Sequence, residues 1–407
     1  MMTHSGTSPT AAYRDGNVLR WATAYTASAS GDVVFFLTLS WAVTRVAGPA
    51  QVGAVLAVGA IPRAVLMLFG GVIADRYGPR RVVIGSDFAR CVIIACAAAL
   101  MQFAGAGLPT LYVVALVFGV IDALFMPAVG ALSGRLTDAG QLGRVQGLRV
   151  LAVRVSNAVG PLMAAIVLTA AGAAAGFGLA GLLFSLSFGL LLAVRLNWGQ
   201  TAERSTRSPL GDLRDGLRYL RGNRQLARLV VVVGLSELCF SGPVGIGLVL
   251  LTAERQWSPA ILGWALSVFS IGGAATGILL TVLARVPRAG FALVGALTVT
   301  AVLVGGLGQV ATAGALIVGS AVLGAISGAA MAIGNALLQR TTEPRYLGRV
   351  GSVTSLCTLG LSPLLYPATA LVAAAWGTGV FFAGCALVCL LAAVAAATAK
   401  ALRDADL

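Results

Sequence analysis

The chain has 407 residues, of which 58% are apolar and only 10% charged, and its mean hydropathy is +0.93. That is too little charge to cover a soluble protein of this length. A formal charge of +14 would suit nucleic acid, but the bases cluster between apolar runs, so no nucleic acid partner is expected.

Residues 1–17 are small and polar and read as a tail, with His4 given no role. The first apolar run is too long for a cleaved signal peptide and lacks a cleavage site, so it reads as an uncleaved insertion signal. Twelve runs are long enough to cross a bilayer as helices: roughly 18–43, 51–73, 82–104, 109–132, 147–172, 175–196, 227–252, 259–284, 290–311, 313–338, 350–373 and 376–399. Helices satisfy their own backbone in lipid, and no period-two alternation suggests a barrel. With the first span running outward, 23 of the Lys and Arg residues fall on the inner side. Only Arg45 and Arg255 fall outside. This split predicts that both termini are cytoplasmic and that the inner face meets anionic lipid.

Between the second and third runs lies Gly70-Gly71-Val72-Ile73-Ala74-Asp75-Arg76-Tyr77-Gly78-Pro79-Arg80-Arg81. An acid among Arg76, Arg80 and Arg81, with a turn glycine and proline, reads as a tight cytoplasmic hairpin. Six ionisable residues lie within spans: Asp32, Arg63, Arg90, Asp122, Arg154 and Glu237. Such groups usually face the bundle interior or a wet cavity. Counting depth at ~1.5 Å per residue pairs Asp32 with Arg63, Arg90 with Asp122, and Arg154 with Glu237 across the two halves. Asp87, one turn from Arg90, competes for it. Two readings stay open. The pairs hold helices together, or a carboxylate takes a proton when its arginine moves away, since burial favours the neutral acid and a nearby cation the charged one.

After the fourth run, Arg135-Leu136-Thr137-Asp138-x3-Leu142-Gly143-Arg144-Val145 matches Arg340-Thr341-Thr342-Glu343-x3-Leu347-Gly348-Arg349-Val350. The offset of 205 residues is close to half the chain, which makes this an internal repeat. Thr137 or Asp138, and Thr342 or Glu343, are expected to cap a short cytoplasmic helix, with Arg144 and Arg349 about two turns on. The linker between halves, 197–226, spaces Leu210, Leu213, Leu217 and Leu220 as an amphipathic helix on the inner membrane face. In the fifth and seventh runs, Asn157-x-x-Gly160-Pro161 and Gly242-Pro243 soften the helices; Pro62, Pro127 and Pro363 read as kinks. All six cysteines lie in spans and read as packing residues. Trp21, Trp41, Trp198, Trp257 and Trp376 read as interface-belt residues. Trp264, inside a span, is a candidate cavity residue with Asn157 and Asn335.

The spacing G-x-x-x-D-R-x-G-x-R-R at 71–81 resembles the loop between helices two and three of the major facilitator superfamily. Gly31-Asp32, Pro62-Arg63, Ser86-Asp87 through Arg90, and Leu142-Gly143-Arg144 are similar to its third drug:proton antiporter group, which holds macrolide efflux permeases; siderophore exporters share much of the pattern. The Gly160-Pro161 pair resembles the antiporter motif of drug exporters. Two features depart from the pattern. The fourth helix lacks the R-x-x-x-Q-G of the better-known groups, and Ala284–Arg288 lacks the hairpin acid.

The resemblance implies an all-α membrane fold of twelve transmembrane helices in two six-helix repeats. The bundles are 18–196 and 227–399, with a tail at 400–407. It implies a proton-coupled exporter of amphiphilic small molecules, or else a dedicated exporter of one natural product or siderophore. It places Asp32, Arg63, Asp122, Arg154 and Glu237 in coupling. It assigns gating to Asp75, Arg76, Arg80, Arg81, Arg144 and Arg349, with Asp75 latching onto the eleventh helix. No nucleophile motif, metal spacing or Walker-type loop points to an enzyme, a cofactor or ATP. The expected partners are a small-molecule substrate, protons and the lipid bilayer, with the protein acting as a monomer in the plasma membrane.

Overall fold

The computed structural model describes residues 15–103, 105, 107–133, 141–194, 209–283, 287–343, 346–355 and 361–398. Among these the chain forms fourteen α-helices: α1 (Gly16–Val46), α2 (Pro49–Tyr77), α3 (Pro79–Phe103), α4 (Leu108–Ser133), α5 (Leu142–Leu192), α6 (Pro209–Gly222), α7 (Arg224–Gly242), α8 (Leu248–Glu254), α9 (Pro259–Leu283), α10 (Ala289–Leu307), α11 (Ala313–Thr341), α12 (Leu347–Ser355), α13 (Leu361–Trp376) and α14 (Thr378–Thr398). A π-helical turn, Pro243–Gly247, joins α7 to α8. Side-chain caps start α1, α7 and α11: Asp15 accepts from the Asn17 amide, Asn223 from the Leu226 amide and Thr312 from the Ala315 amide.

Ten described helices are long and apolar enough to cross a membrane, against the twelve runs expected. Two local features account for the difference. Helix α5 covers two expected spans in one 51-residue stretch, broken where Gly172 takes φ 74°. Around that break the chain doubles back. Gly160 packs against Val33 and Gly31 against Phe184, so residues equally far from Gly172 on either side face neighbouring levels of α1. The eleventh expected span is divided between α12 and the short α13, and residues 356–360 lie outside the described set.

The expected hairpin at 70–81 is tighter than its sequence suggested. Helix α2 runs on through Tyr77, α3 starts at Pro79, and Gly78 alone, at φ 86°, links them. A positive φ there favours glycine, and proline suits the first turn of α3. Thr342 also departs from expectation. It ends α11, its hydroxyl donating to the Leu338 carbonyl at 2.6 Å, and does not start the next helix. Thr137 and Asp138 lie outside the described residues. The amphipathic helix α6 docks on α12: Gly216 fits under the Arg349 carbonyl, Tyr219 stacks on Tyr346 at 4.0 Å, and Leu220 is buried, while Leu217 is exposed. Trp21 is buried and stacked on Tyr25, and so is a core residue and not part of a belt. Trp376 is exposed; Trp198 lies outside the described residues.

Glycines set the close helix pairs. In α4, a side-chain carbon on Gly119 would collide with the Gly59 carbonyl of α2, and in α11 one on Gly324 would collide with the Phe269 carbonyl of α9. Gly119 and Gly324 are separated by the same 205 residues as the Leu-Gly-Arg-Val repeat, whose two copies open α5 at Leu142 and α12 at Leu347.

The apolar core has three parts. One runs through both halves, joining Phe35, Phe118 and Phe177 to Ile246, Leu266 and Phe382. A second lies wholly in the first half, around Trp21, Phe125 and Val145. A third lies in the second half and the linker helix α6, around Leu229, Leu297 and Leu337. The shared core sits at the end where short links such as 47–48 and 255–258 join the helices. The separate cores sit at the arginine-rich end. At the shared end Gly53 of α2 meets the Tyr366 carbonyl of α13, and Gly263 of α9 meets the Pro161 carbonyl of α5. A cavity of about 410 Å³ lies there, lined by Thr44, Pro49, Leu250, Glu254 and Ala373 among others. Glu254 accepts from the Thr378 amide at 3.1 Å and so caps α14.

Candidate functional site: a buried charge network

Five helical segments of the first half converge on Arg90. Its side chain is wholly buried in α3, one turn from Asp87, which is buried as well. Arg90 Nη1 donates to Ser28 Oγ of α1 at 3.0 Å and to Asp87 Oδ1 at 3.3 Å. Nη2 donates to Asp122 Oδ1 of α4 and lies 3.7 Å from Asp32 Oδ1 of α1. Ser28 donates to Asp87 Oδ1 at 3.3 Å, and Ser187, on the returning arm of α5, to Asp87 Oδ2 at 2.5 Å. Arg63 of α2 reaches the other oxygen of Asp122, with Nε 2.9 Å from Oδ2.

Aromatic rings wall this network in. The Arg90 guanidinium lies 3.9 Å from the centroid of Phe125, 5.3 Å from that of Phe184 and 5.5 Å from that of Phe118. A weakly hydrated guanidinium tolerates such a site through its five donors and the ring faces. The ends of the network are open. The side chains of Asp32 and Arg63 are 22% and 31% exposed, whereas Asp122 is 2% exposed. Three carboxylates meet two guanidiniums, so the fully ionised cluster carries one surplus negative charge.

Sequence depth placed these residues at one level, but packing chose different partners. Arg90 does meet Asp122. Arg63 meets Asp122 and not Asp32, because Gly59 and Gly119 lock α2 against α4 one turn away, which sets Arg63 beside Asp122. Among the described residues, Asp32 makes its salt bridge to Arg90. Arg154 and Glu237 do not pair. Arg154 is exposed, and α5 meets the second half through α9, at Pro161 and Ala165. Glu237 is half-buried, and its Oε1 has no hydrogen-bond partner.

The remaining candidates lie apart from the network. Asn157 and Trp264 are exposed and Asn335 is half-buried. The side chain of Asp75 lies outside the described residues. Arg76 lies over the Tyr77 ring, Arg81 and Arg144 are exposed, and Arg80 donates to the Leu192 carbonyl at 3.1 Å. Arg349 approaches Asp215 of α6 at 3.8 Å. Sequence reasoning missed Ser28 and Ser187. Ser28 carried a signal, since it lies one turn before Asp32; Ser187 and the three phenylalanines carried none. No group of His, Cys, Asp and Glu suited to a metal occurs among the described residues.

The model of the Major Facilitator Superfamily matches residues 21–248, more than half the chain. The chain belongs to this superfamily. Macrolide efflux protein A of Enterococcus faecalis is 24% identical over 341 residues, covering 75% of this chain and 96% of that protein. The multidrug efflux pump Tap of Mycolicibacterium fortuitum is 25% identical over 390 residues, covering 93% and 94%. Among solved structures, the nucleoside transporter NupG superposes with a TM-score of 0.72 at 15% identity, covering 95% of this chain and 99% of NupG. A bacterial homologue of the lysosomal transporter Spinster superposes with 0.67 at 13% identity, covering 98% and 97%. These likenesses show the facilitator fold. This facilitator is a multi-span membrane transporter and not an enzyme, as the proteins it resembles are transporters.

Proposed function

We propose that this facilitator is a proton-coupled exporter of amphiphilic drugs that works by alternating access. Its relatives supply the cargo class, macrolides and other drugs. One observation carries the mechanism: the two halves share an apolar core at one end and keep separate cores at the other. Separate cores let the halves part at the arginine-rich end without exposing either interior. The shared end is sealed by glycine-mediated helix contacts, which can part as rigid surfaces. In this reading there are twelve spans in two six-helix repeats, α5 supplying two of them at Gly172, and both termini lie in the cytoplasm of a plasma-membrane protein acting as a monomer.

The charge network is the proton site. One proton neutralises its surplus charge, and Asp32 is the residue that takes it. Its side chain is partly exposed, its salt-bridge partner among the described residues, Arg90, stands off at 3.7 Å, and Oδ1 is buried without a hydrogen bond. Protonation frees Arg90 to settle on Asp87 and Asp122, a local rearrangement across α1, α3 and α4 that can bias the tilt of the first half. Asp75, Arg76, Arg80, Arg81, Arg144 and Arg349 gate the arginine-rich end.

Transport of a labelled macrolide by proteoliposomes tests this. A pH gradient is expected to drive accumulation by the wild type. Asp32→Asn is expected to abolish gradient-driven accumulation while keeping cargo exchange at equal pH. Gradient-driven transport in that variant at the wild-type rate would remove Asp32 from the mechanism. A compound panel in which one natural product alone moves would favour a dedicated exporter.

A further inference from the structure

Among the described residues, the second half has no counterpart to the charge network. Helices α9, α10, α13 and α14 contain no Asp, Glu, Lys or Arg, and α11 has only Arg340, in its last turn. Between Arg228 and Glu254 on α7 and α8, Glu237 stands alone. Counted from the caps Asp15 and Asn223, it sits within one helical turn of the depth of Asp32. The two carboxylates thus occupy similar levels of the two halves, one among arginines and the other without a base.

Its surroundings are built differently from those of Asp32. Glu237 Oε1 is out of contact with solvent and accepts no hydrogen bond, and one turn on, Ser241 Oγ is in the same condition. On the same face Phe240 tilts against Phe269 of α9 at 6.4 Å between centroids. The helix then loosens at once into the π turn at Pro243–Gly247. An ionised carboxylate without a partner is costly in an apolar bundle. In the first half Arg90 stands 3.7 Å from Asp32, and Asp87 beside it is held by Arg90, Ser28 and Ser187; no described side chain hydrogen-bonds to Glu237 Oε1.

We infer that Glu237 is the counter-ion for a cationic, partly apolar cargo, with Ser241 as an auxiliary hydrogen-bond group and the Phe240–Phe269 pair as the wall on which its apolar body lies. This rests on the transport reading above and divides the work: Asp32 takes the proton in the first half, and Glu237 takes the cargo's charge in the second. A proton alone would neutralise Glu237 but has no use for an aromatic wall. A lipophilic cation uses both, through charge pairing and ring faces.

The test uses two probes of nearly equal size and opposite charge, tetraphenylphosphonium and tetraphenylborate, binding to the purified full-length protein. The wild type is expected to prefer the cation. Glu237→Gln is expected to weaken cation binding at least tenfold while changing anion binding less than twofold. Equal weakening of both probes by Glu237→Gln, an unchanged preference, or a wild type that binds neither probe would overturn the inference. Charge-selective binding in a protein that moves no macrolide would instead remove the efflux reading and leave this one standing.

Discussion

Asp122 holds two guanidiniums at once, one on each oxygen, and so joins α2, α3 and α4 through a single side chain. Removing it leaves Arg90 buried with a weaker set of partners. Breaking a buried pair from one side typically costs about 3–5 kcal/mol, because the remaining charge stays desolvated. Asp122→Ala is therefore expected to destabilise the detergent-solubilised protein by about that amount. Arg63→Gln should cost less than half as much, since Arg63 is partly exposed. Unfolding midpoints of the two variants check this, and equal midpoints would contradict it. The same residues show what a single sequence can reveal. The ionisable residues and their depths followed from counting along apolar runs. Their partners did not, because the azimuth of one helix against another depends on glycine contacts such as Gly59 with Gly119, which depth counting ignores. Ser187 was beyond reach for a related reason: it meets Asp87 only once α5 folds back at Gly172.

At the scale of helices, small residues do what charge cannot. Gly119 and Gly324 let carbonyls of the neighbouring helix come within contact of the backbone, and backbone on both sides leaves little room to yield. Gly119→Val is expected to push α2 from α4, cost about 3 kcal/mol or more, and separate Arg63 from Asp122. Loss of monodisperse protein on size-exclusion chromatography, with partial recovery in Gly119→Ala, would agree; a valine variant as stable as wild type would not. Element boundaries were only partly legible. Apolar length marked α1, α3, α4 and α14 well, but it stopped α2 short of Tyr77, because charged residues such as Arg76 read as loop although they continue the helix into the headgroup region. The linker helix α6 was visible from its leucine spacing. Its seat on α12 was not, because Gly216 and Tyr219 carry no periodic apolar signal.

For the whole molecule, the partition of the core is the feature that ties fold to mechanism. A single core would make one rigid body. One shared core and two separate ones make two bodies that touch at one end. The facilitator family was legible from the hairpin spacing and the 205-residue repeat, while the asymmetry between a first half with several charges inside its helices and a second half with Glu237 inside its own takes on meaning only once helices are placed side by side. In the mechanism proposed above these bodies rock, closing one end as the other opens, with Asp32 setting the balance. Paired spin labels measure this most directly: one pair at Val150 and Gln339, on opposite halves toward the arginine-rich end, and one at Phe103 and Ala311 at the other end, in a cysteine-free background. Adding macrolide and raising pH from acid to alkaline is expected to change the two distances in opposite directions in the wild type, and Asp32→Asn should remove the pH response. Distances that change together, or that respond to pH in Asp32→Asn as they do in wild type, would contradict the account.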